Sequence, residues 1–275
     1  MARKQFQDLH LKDAFLFAAA LSDEETCRML LEVMLGEKVE QVRVHAEHAL
    51  LFNSDSRSIR LDIYAQDEAR RCYNVEMQGE DKGNLPKRSR YHQAETDVTS
   101  LKPGEDFSEL GPSCVIFLCC FDPFGQGLYR YTFENRCLET DLPLGDGTRK
   151  IFFNTRGRND ENISKELRHF LHYVENSTGE CAKEDPDGKV GLLHEKITAL
   201  KKSREWERRY MTLDELIKDA EKASRKEGFA EGQALFGLLL RKMVDAGESD
   251  KLAQLADSDF FQEMCKKYQI HSDTF

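Results

Sequence analysis

Eight apolar residues in succession, CVIFLCCF at 114–121, set the tightest limit on how this chain folds. A strand that is apolar on both sides has no face to offer water, so it predicts a central strand covered by helices above and below. Hydrophobic residues make up 40% of the 275, enough for a core of that kind, while 33% charged residues mark a well-solvated surface. No run reaches the roughly 18 apolar residues of a spanning helix, so no membrane association is expected. The opening MARKQFQDLHLKDAF lacks the apolar stretch of a secretory signal, which leads us to expect a cytoplasmic protein. Eight cysteines with no CxxC spacing agree with that setting. Adjacent Cys119 and Cys120, inside the apolar run, read as small hydrophobes rather than redox or metal groups.

Around that strand the periodicities predict an α/β protein. A helix is expected over 6–20 and a second after a capping box of Ser22 and Glu25, its stripe formed by Met29, Leu30, Val33 and Met34 and its end marked by Gly36. Strands are predicted within 39–53, at 58–65, at 72–78, at 128–135 and at 149–154. A helix over 84–101 carries Tyr91, Ala94, Val98 and Leu101 at helical spacing as its apolar stripe. From Asn159 onward nearly everything reads as helix, with Thr212 and Glu215 as a capping box for a long helix running to about 246. The segment CAKEDPDGK (181–189) is the best candidate for a linker. It divides the chain into a domain over 1–180 and a helical C-terminal region over 181–275. Gly228 and Gly232, four apart on a helix, read as close packing or a kink, because no strand–turn–helix context surrounds them.

The stretch SIRLDIYAQDEARRCYNVEMQ (58–78) poses a chemical question. Side chains two apart on a strand share a face, so Ile59, Leu61 and Ile63 point to the core while Arg60, Asp62 and Tyr64 point away. On the next strand Tyr73, Val75 and Met77 share one face, and Asn74, Glu76 and Gln78 the other. A turn centred near residue 69 sets Asp62 opposite Glu76, where facing like charges destabilise a sheet. Either the face is solvated, as charged faces usually are, or a divalent cation sits between the two acids. Hard oxygen ligands of this kind suit Mg²⁺ or Mn²⁺. Gln78, beside Glu76, adds an amide able to orient a water.

The ordered segments KDAF (12–15), RLDIYAQD (60–67), YNVEMQ (73–78) and RSRYHQ (88–93), followed by LKPGEDFSEL and VIFLCCFDPFG, resemble the PD-(D/E)XK nuclease superfamily. The closer likeness is to its Rpn group, recombination-promoting nucleases also labelled transposase-like, over about residues 1–180. The resemblance implies a restriction-endonuclease-like α/β core, a mixed central sheet flanked by helices, with a helical C-terminal region behind it. It implies a metal-dependent DNA endonuclease with Asp62 and Glu76 as ligands, joined by the backbone carbonyl of Met77. Gln78 stands where many relatives carry lysine, a substitution similar to that of Rpn members. Glutamine orients water but neutralises no charge, and Lys82 or Lys87 could supply the missing positive charge. Asp13 falls where the first helix of such nucleases often contributes an acid, its other reading being a solvated helix position. Tyr91 fits packing better than catalysis.

A net charge of −10 argues against a protein that coats nucleic acid, because non-specific affinity rests on lysine and arginine. DNA binding therefore needs a local basic rim. Lys82, Lys87, Arg88 and Arg90 provide one beside the candidate metal strand, with Gln93 as a further contact; the competing reading is a solvated helix face. A second basic run, KKSREWERR (201–209), is diluted by Glu205 and Glu207 and fits intrahelical pairing, with Trp206 as an interface anchor. The pairs His45/His48 and His169/His172 complete no zinc pattern. Two other readings stay open: a nuclease fold that has lost cleavage and serves DNA binding or protein interaction, and a helical tail that drives a homodimer or higher oligomer.

Overall fold

The computed structural model describes residues 4–45, 63–184 and 188–270. They fall into two compact units, Met1–Tyr210 and Met211–Phe275. The first is built on a mixed six-stranded sheet in the order β1-β2-β3-β4-β6-β5. Its strands are β1 (Val42–His45), β2 (Ile63–Asp67), β3 (Cys72–Gln78), β4 (Ser113–Cys119), β5 (Arg130–Phe133) and β6 (Thr148–Asn154). The three central strands β3, β4 and β6 run parallel, with Glu76 beside Phe117 and Phe117 beside Phe152. Antiparallel β1 and β2 extend one side and antiparallel β5 the other. Every residue of β4 is buried, as its two-sided apolar run requires.

Helices cover both faces. α1 (Ala14–Leu21) is buried at every position from Phe15 onward, which makes it a core helix with no wet side. α2 (Glu24–Leu35) is amphipathic and ends at Gly36, whose φ of +72° is the left-handed conformation that glycine tolerates best. Arg130, on the face of β5 opposite Tyr131, reaches the Leu35 carbonyl at the end of α2 at 3.5 Å, so α2 covers that face. α3 (Leu85–Ser100) connects β3 to β4 and covers the other. There Leu85, Val115, Phe117, Cys119, Tyr131 and Phe152 form an apolar cluster, with Phe117 and Phe152 stacked at 5.3 Å and Phe124 edge-on to Phe152 at 5.1 Å. Each such ring contributes on the order of 1.5–3 kcal/mol of burial.

Several expected element ends are corrected. The first helix starts at Ala14, preceded by a single 3₁₀ turn at Phe6–Asp8. The cap of α2 is Asp23, whose Oδ1 accepts the Thr26 amide at 2.9 Å, so the Ser22–Glu25 box is not used. α4 (Lys165–Glu175), the short α5 (Gly179–Ala182) and α6 (Lys189–Lys201) follow the sheet, and α6 packs against α1, α2 and α4. α7 begins at Arg204 and runs unbroken to Asp245, so Thr212 and Glu215 lie inside a helix rather than at its start. Trp206 packs edge-on to Phe15 at 6.1 Å within the first unit, with the Arg209 guanidinium 4.8 Å from its ring.

In the second unit a 3₁₀ segment (Ser249–Ala256) and α8 (Ser258–Lys267) fold back on the end of α7 around Leu239, Met243, Leu255, Met264 and Ile270. Among the described residues no helix is long and apolar enough to cross a membrane.

Candidate metal centre

The decisive feature of α3 is which side of it faces the sheet. The expected apolar stripe points outward: Tyr91 is 61% exposed and Val98 78%. The buried positions are Leu85, Ser89, His92, Gln93 and Thr96. Residues 88, 92, 96 and 100 stand four apart, one ridge of a helix, and this ridge of Arg88, His92, Thr96 and Ser100 is polar throughout. It lies over the polar face of β3, formed by Cys72, Asn74, Glu76 and Gln78. Asn74 and Gln78 are buried, and the Glu76 side chain is only 13% exposed. The β3 side of this hairpin face is buried rather than solvated. Polar groups on both sides of a helix–sheet contact contribute less to folding than apolar packing, which makes such a layer a candidate functional site.

The contacts within the layer are specific. Arg88 donates through Nη2 to Glu76 Oε1 and through Nη1 to Gln78 Oε1 at 2.9 Å. Its guanidinium also lies 5.7 Å from the Phe117 ring centre. Gln78 Nε2 donates to Glu76 Oε1 at 3.0 Å and to the Met77 carbonyl at 3.0 Å. The Glu76 carboxylate and the Met77 carbonyl therefore converge on one point, held by an amide N–H. His92 Nε2 stands 3.3 Å from Glu76 Oε2, yet Oε2 is buried with no hydrogen-bond donor in line among the described residues. Further along, Gln93 donates to Ser113 Oγ at the start of β4 and to Asp97 Oδ1 at 3.1 Å, while Tyr64 of β2 meets Ser100 at 3.1 Å.

This donor set fits a hard cation. Glu76 Oε1 and the Met77 carbonyl offer two of the oxygen ligands Mg²⁺ prefers. Glu76 Oε2, buried without a donor among the described residues at a cost in free energy, leaves the same carboxylate a second oxygen for an ion. Among the described residues no group of three or more His, Cys, Asp or Glu side chains forms a complete cage. Asp62, the expected second acid, lies outside the described residues. The β2–β3 register is clear up to its neighbour: Ile63 pairs with Val75, and the turn falls at residues 68–71.

The other expected residues occupy different settings. Asp13 precedes α1, where it accepts from Lys4 Nζ at 2.8 Å and from the His10 amide at 2.7 Å. Among the described residues no hydrogen bond or ion pair joins it to Glu76 or Gln78. Lys82, Lys87 and Arg90 are exposed. Gln93 is buried between α3 and β4. Cys119, at the end of β4, is buried and its thiol is pushed up by desolvation, which suits packing and not nucleophilic attack. His92 carries no site reading from the sequence, and Arg88 only one as a DNA contact. The available signal was their spacing, since Arg88, His92, Thr96 and Ser100 recur every fourth position of a helix that otherwise lacks an amphipathic pattern.

The family model of the PD-(D/E)XK nuclease family transposases matches residues 11–225. That span includes the whole sheet, α3 and the polar layer between them. No curated protein and no solved structure matches the chain.

Proposed function

Because the chain belongs to the PD-(D/E)XK nuclease family transposases, we propose that it is a Mg²⁺- or Mn²⁺-dependent endonuclease hydrolysing phosphodiester bonds of DNA. The observation that carries this reading is the convergence of Glu76 Oε1 and the Met77 carbonyl on one point, 3.0 Å from each, inside a buried polar layer. Glu76, the Met77 carbonyl and Asp62 would hold the cation. If the pairing seen at Ile63–Val75 ran one residue further, it would set Asp62 opposite Glu76, the arrangement two shared ligands need. With the ion bound, the site gains Lewis acidity toward a phosphate oxygen and a more acidic water.

The chain's own groups would do the remaining work. Glu76 would anchor the ion from β3, a strand paired antiparallel with β2 on one side and parallel with β4 on the other. The Gln78 amide, once its N–H is released from Glu76, orients the attacking water. Lys82, Lys87 and Arg90, exposed at and before the start of α3, grip backbone phosphates, and Arg88 lies at their inner edge. Asp13 remains a candidate for an outer contact to the site. The division we propose at residue 180 is one of role rather than of packing, since α6 beyond it belongs to the first unit. The helical region beyond it would serve assembly into a homodimer or higher oligomer. The setting we propose is cytoplasmic, in recombination, mobile-element activity or defence.

Supercoiled plasmid incubated with Mg²⁺ or Mn²⁺, with a chelator control and with Asp62→Ala alongside, tests the activity. Nicking that needs metal and disappears in the variant supports it. A second reading is favoured by Gln78 at the lysine position: a nuclease fold that binds DNA or protein without cutting. Measurable DNA binding with no metal-dependent nicking would establish that reading instead.

A further inference from the structure

Arg88 is the one cation of the basic rim that turns inward. Lys82, Lys87 and Arg90 are exposed, whereas Arg88 holds Glu76 Oε1 and Gln78 Oε1 together beneath α3. Its guanidinium thus stands where the positive charge of a metal would be felt, on the same carboxylate oxygen. We propose that Arg88 is the site's resident counter-ion, competing with the divalent cation for Glu76 and, once displaced from it, serving as the positive charge that Gln78 does not provide. The proposal rests on the metal reading of Glu76 given above.

Three points support it. Glu76 Oε1 already accepts from both Arg88 and Gln78, so a cation at the point where Oε1 and the Met77 carbonyl converge has to displace a donor from that oxygen. A guanidinium and a divalent ion on the same carboxylate oxygen repel, so metal entry at Oε1 disfavours the Arg88–Glu76 contact. Arg88 also has two holds that do not involve Glu76, namely Gln78 Oε1 and the face of Phe117. These keep the guanidinium beside Gln78 after the carboxylate has turned to the metal. A charged group near the scissile phosphate in a water-poor site is worth far more than one on the open rim.

The sign of the effect on metal binding separates this role from a structural one. Loss of a merely structural arginine would loosen the site and weaken metal affinity; loss of a competitor strengthens it. Mn²⁺ affinity is measured by calorimetry on the full chain for the wild type, Arg88→Met, Arg88→Lys and Glu76→Gln, with plasmid nicking at saturating Mn²⁺ in parallel. We expect Arg88→Met to bind Mn²⁺ at least tenfold more tightly while nicking at least tenfold more slowly. Arg88→Lys, which keeps the charge, stays within a few-fold of wild type in both, and it serves as the folded control if Arg88→Met unfolds. Unchanged or weaker Mn²⁺ binding in Arg88→Met, with binding lost in Glu76→Gln, overturns the competition and leaves the metal site standing. Wild-type Mn²⁺ binding in Glu76→Gln overturns the metal site itself, and this proposal with it.

Discussion

Arg88 on α3 and Glu76 on β3, twelve residues apart in sequence, join across a buried helix–sheet contact. Around this pair the polar groups of α3 and β3 face each other instead of water. The arrangement explains how a strand carrying Glu76 and Gln78 on a buried face is compatible with a stable fold: the Arg88 guanidinium on α3 pairs with both side chains.

His92 stands behind the carboxylate. Its Nε2 is 3.3 Å from Glu76 Oε2 and its ring centre 6.0 Å from that of Phe117. Groups that orient a ligand typically alter metal affinity by 10- to 100-fold when removed. His92→Phe keeps the ring packing and deletes the nitrogen. It is expected to weaken Mn²⁺ binding by about that factor while leaving the thermal midpoint nearly unchanged, as read by calorimetry and circular dichroism. A large fall in midpoint with unaltered metal affinity would assign His92 to packing alone.

The exposed part of the basic rim carries a different prediction. If Lys82, Lys87 and Arg90 contact phosphates, neutralising each should weaken binding across all sequences and reduce the slope of log K against log salt by about 1. Fluorescence anisotropy with a labelled duplex over a salt series, for each glutamine variant, measures this. Slopes equal to wild type would return these residues to the solvated surface.

In the second unit the Glu248 carboxyl is lowered to about 2, chiefly by hydrogen bonds from Lys251, Lys267 and Tyr268. A depressed folded pKa means that the deprotonated form stabilises the fold. That contribution is complete above the unfolded value of about 4.3 and is lost as pH falls toward 2. Urea titrations of the full chain, followed by helical circular dichroism, should show Glu248→Gln less stable than wild type at pH 7. The gap should close between about pH 4.5 and pH 2. A gap that persists unchanged at pH 2 would show that the carboxylate is not its source.

Much of the architecture was legible because periodicity reports burial directly. The two-sided run at 114–121 became the fully buried β4, and the alternation of 72–78 became β3 with Glu76 and Gln78 on one face. Helix starts were less legible. Ser22 and Asp23 are both good caps, and only the fold shows that Asp23 takes the Thr26 amide. α3 was misread for a physical reason: hydrophobic periodicity assumes that the buried side of a helix is the apolar one. Here the buried side is polar, and Tyr91 and Val98 face outward. Gln93 illustrates the consequence, since a residue expected at the DNA is buried against Ser113 and Asp97. Local sequence could not reveal that Arg88 reaches Glu76, because the contact depends on how α3 crosses β3.

The central claim is most directly tested by crystals soaked in Mn²⁺ and measured for anomalous scattering. A peak is expected at roughly 2.1–2.3 Å from a Glu76 carboxylate oxygen, the Met77 carbonyl and an Asp62 oxygen, with the Arg88 guanidinium drawn off Glu76. A fully soaked crystal with no peak at this point, or with manganese bound only elsewhere while Arg88 still holds Glu76, would contradict the account.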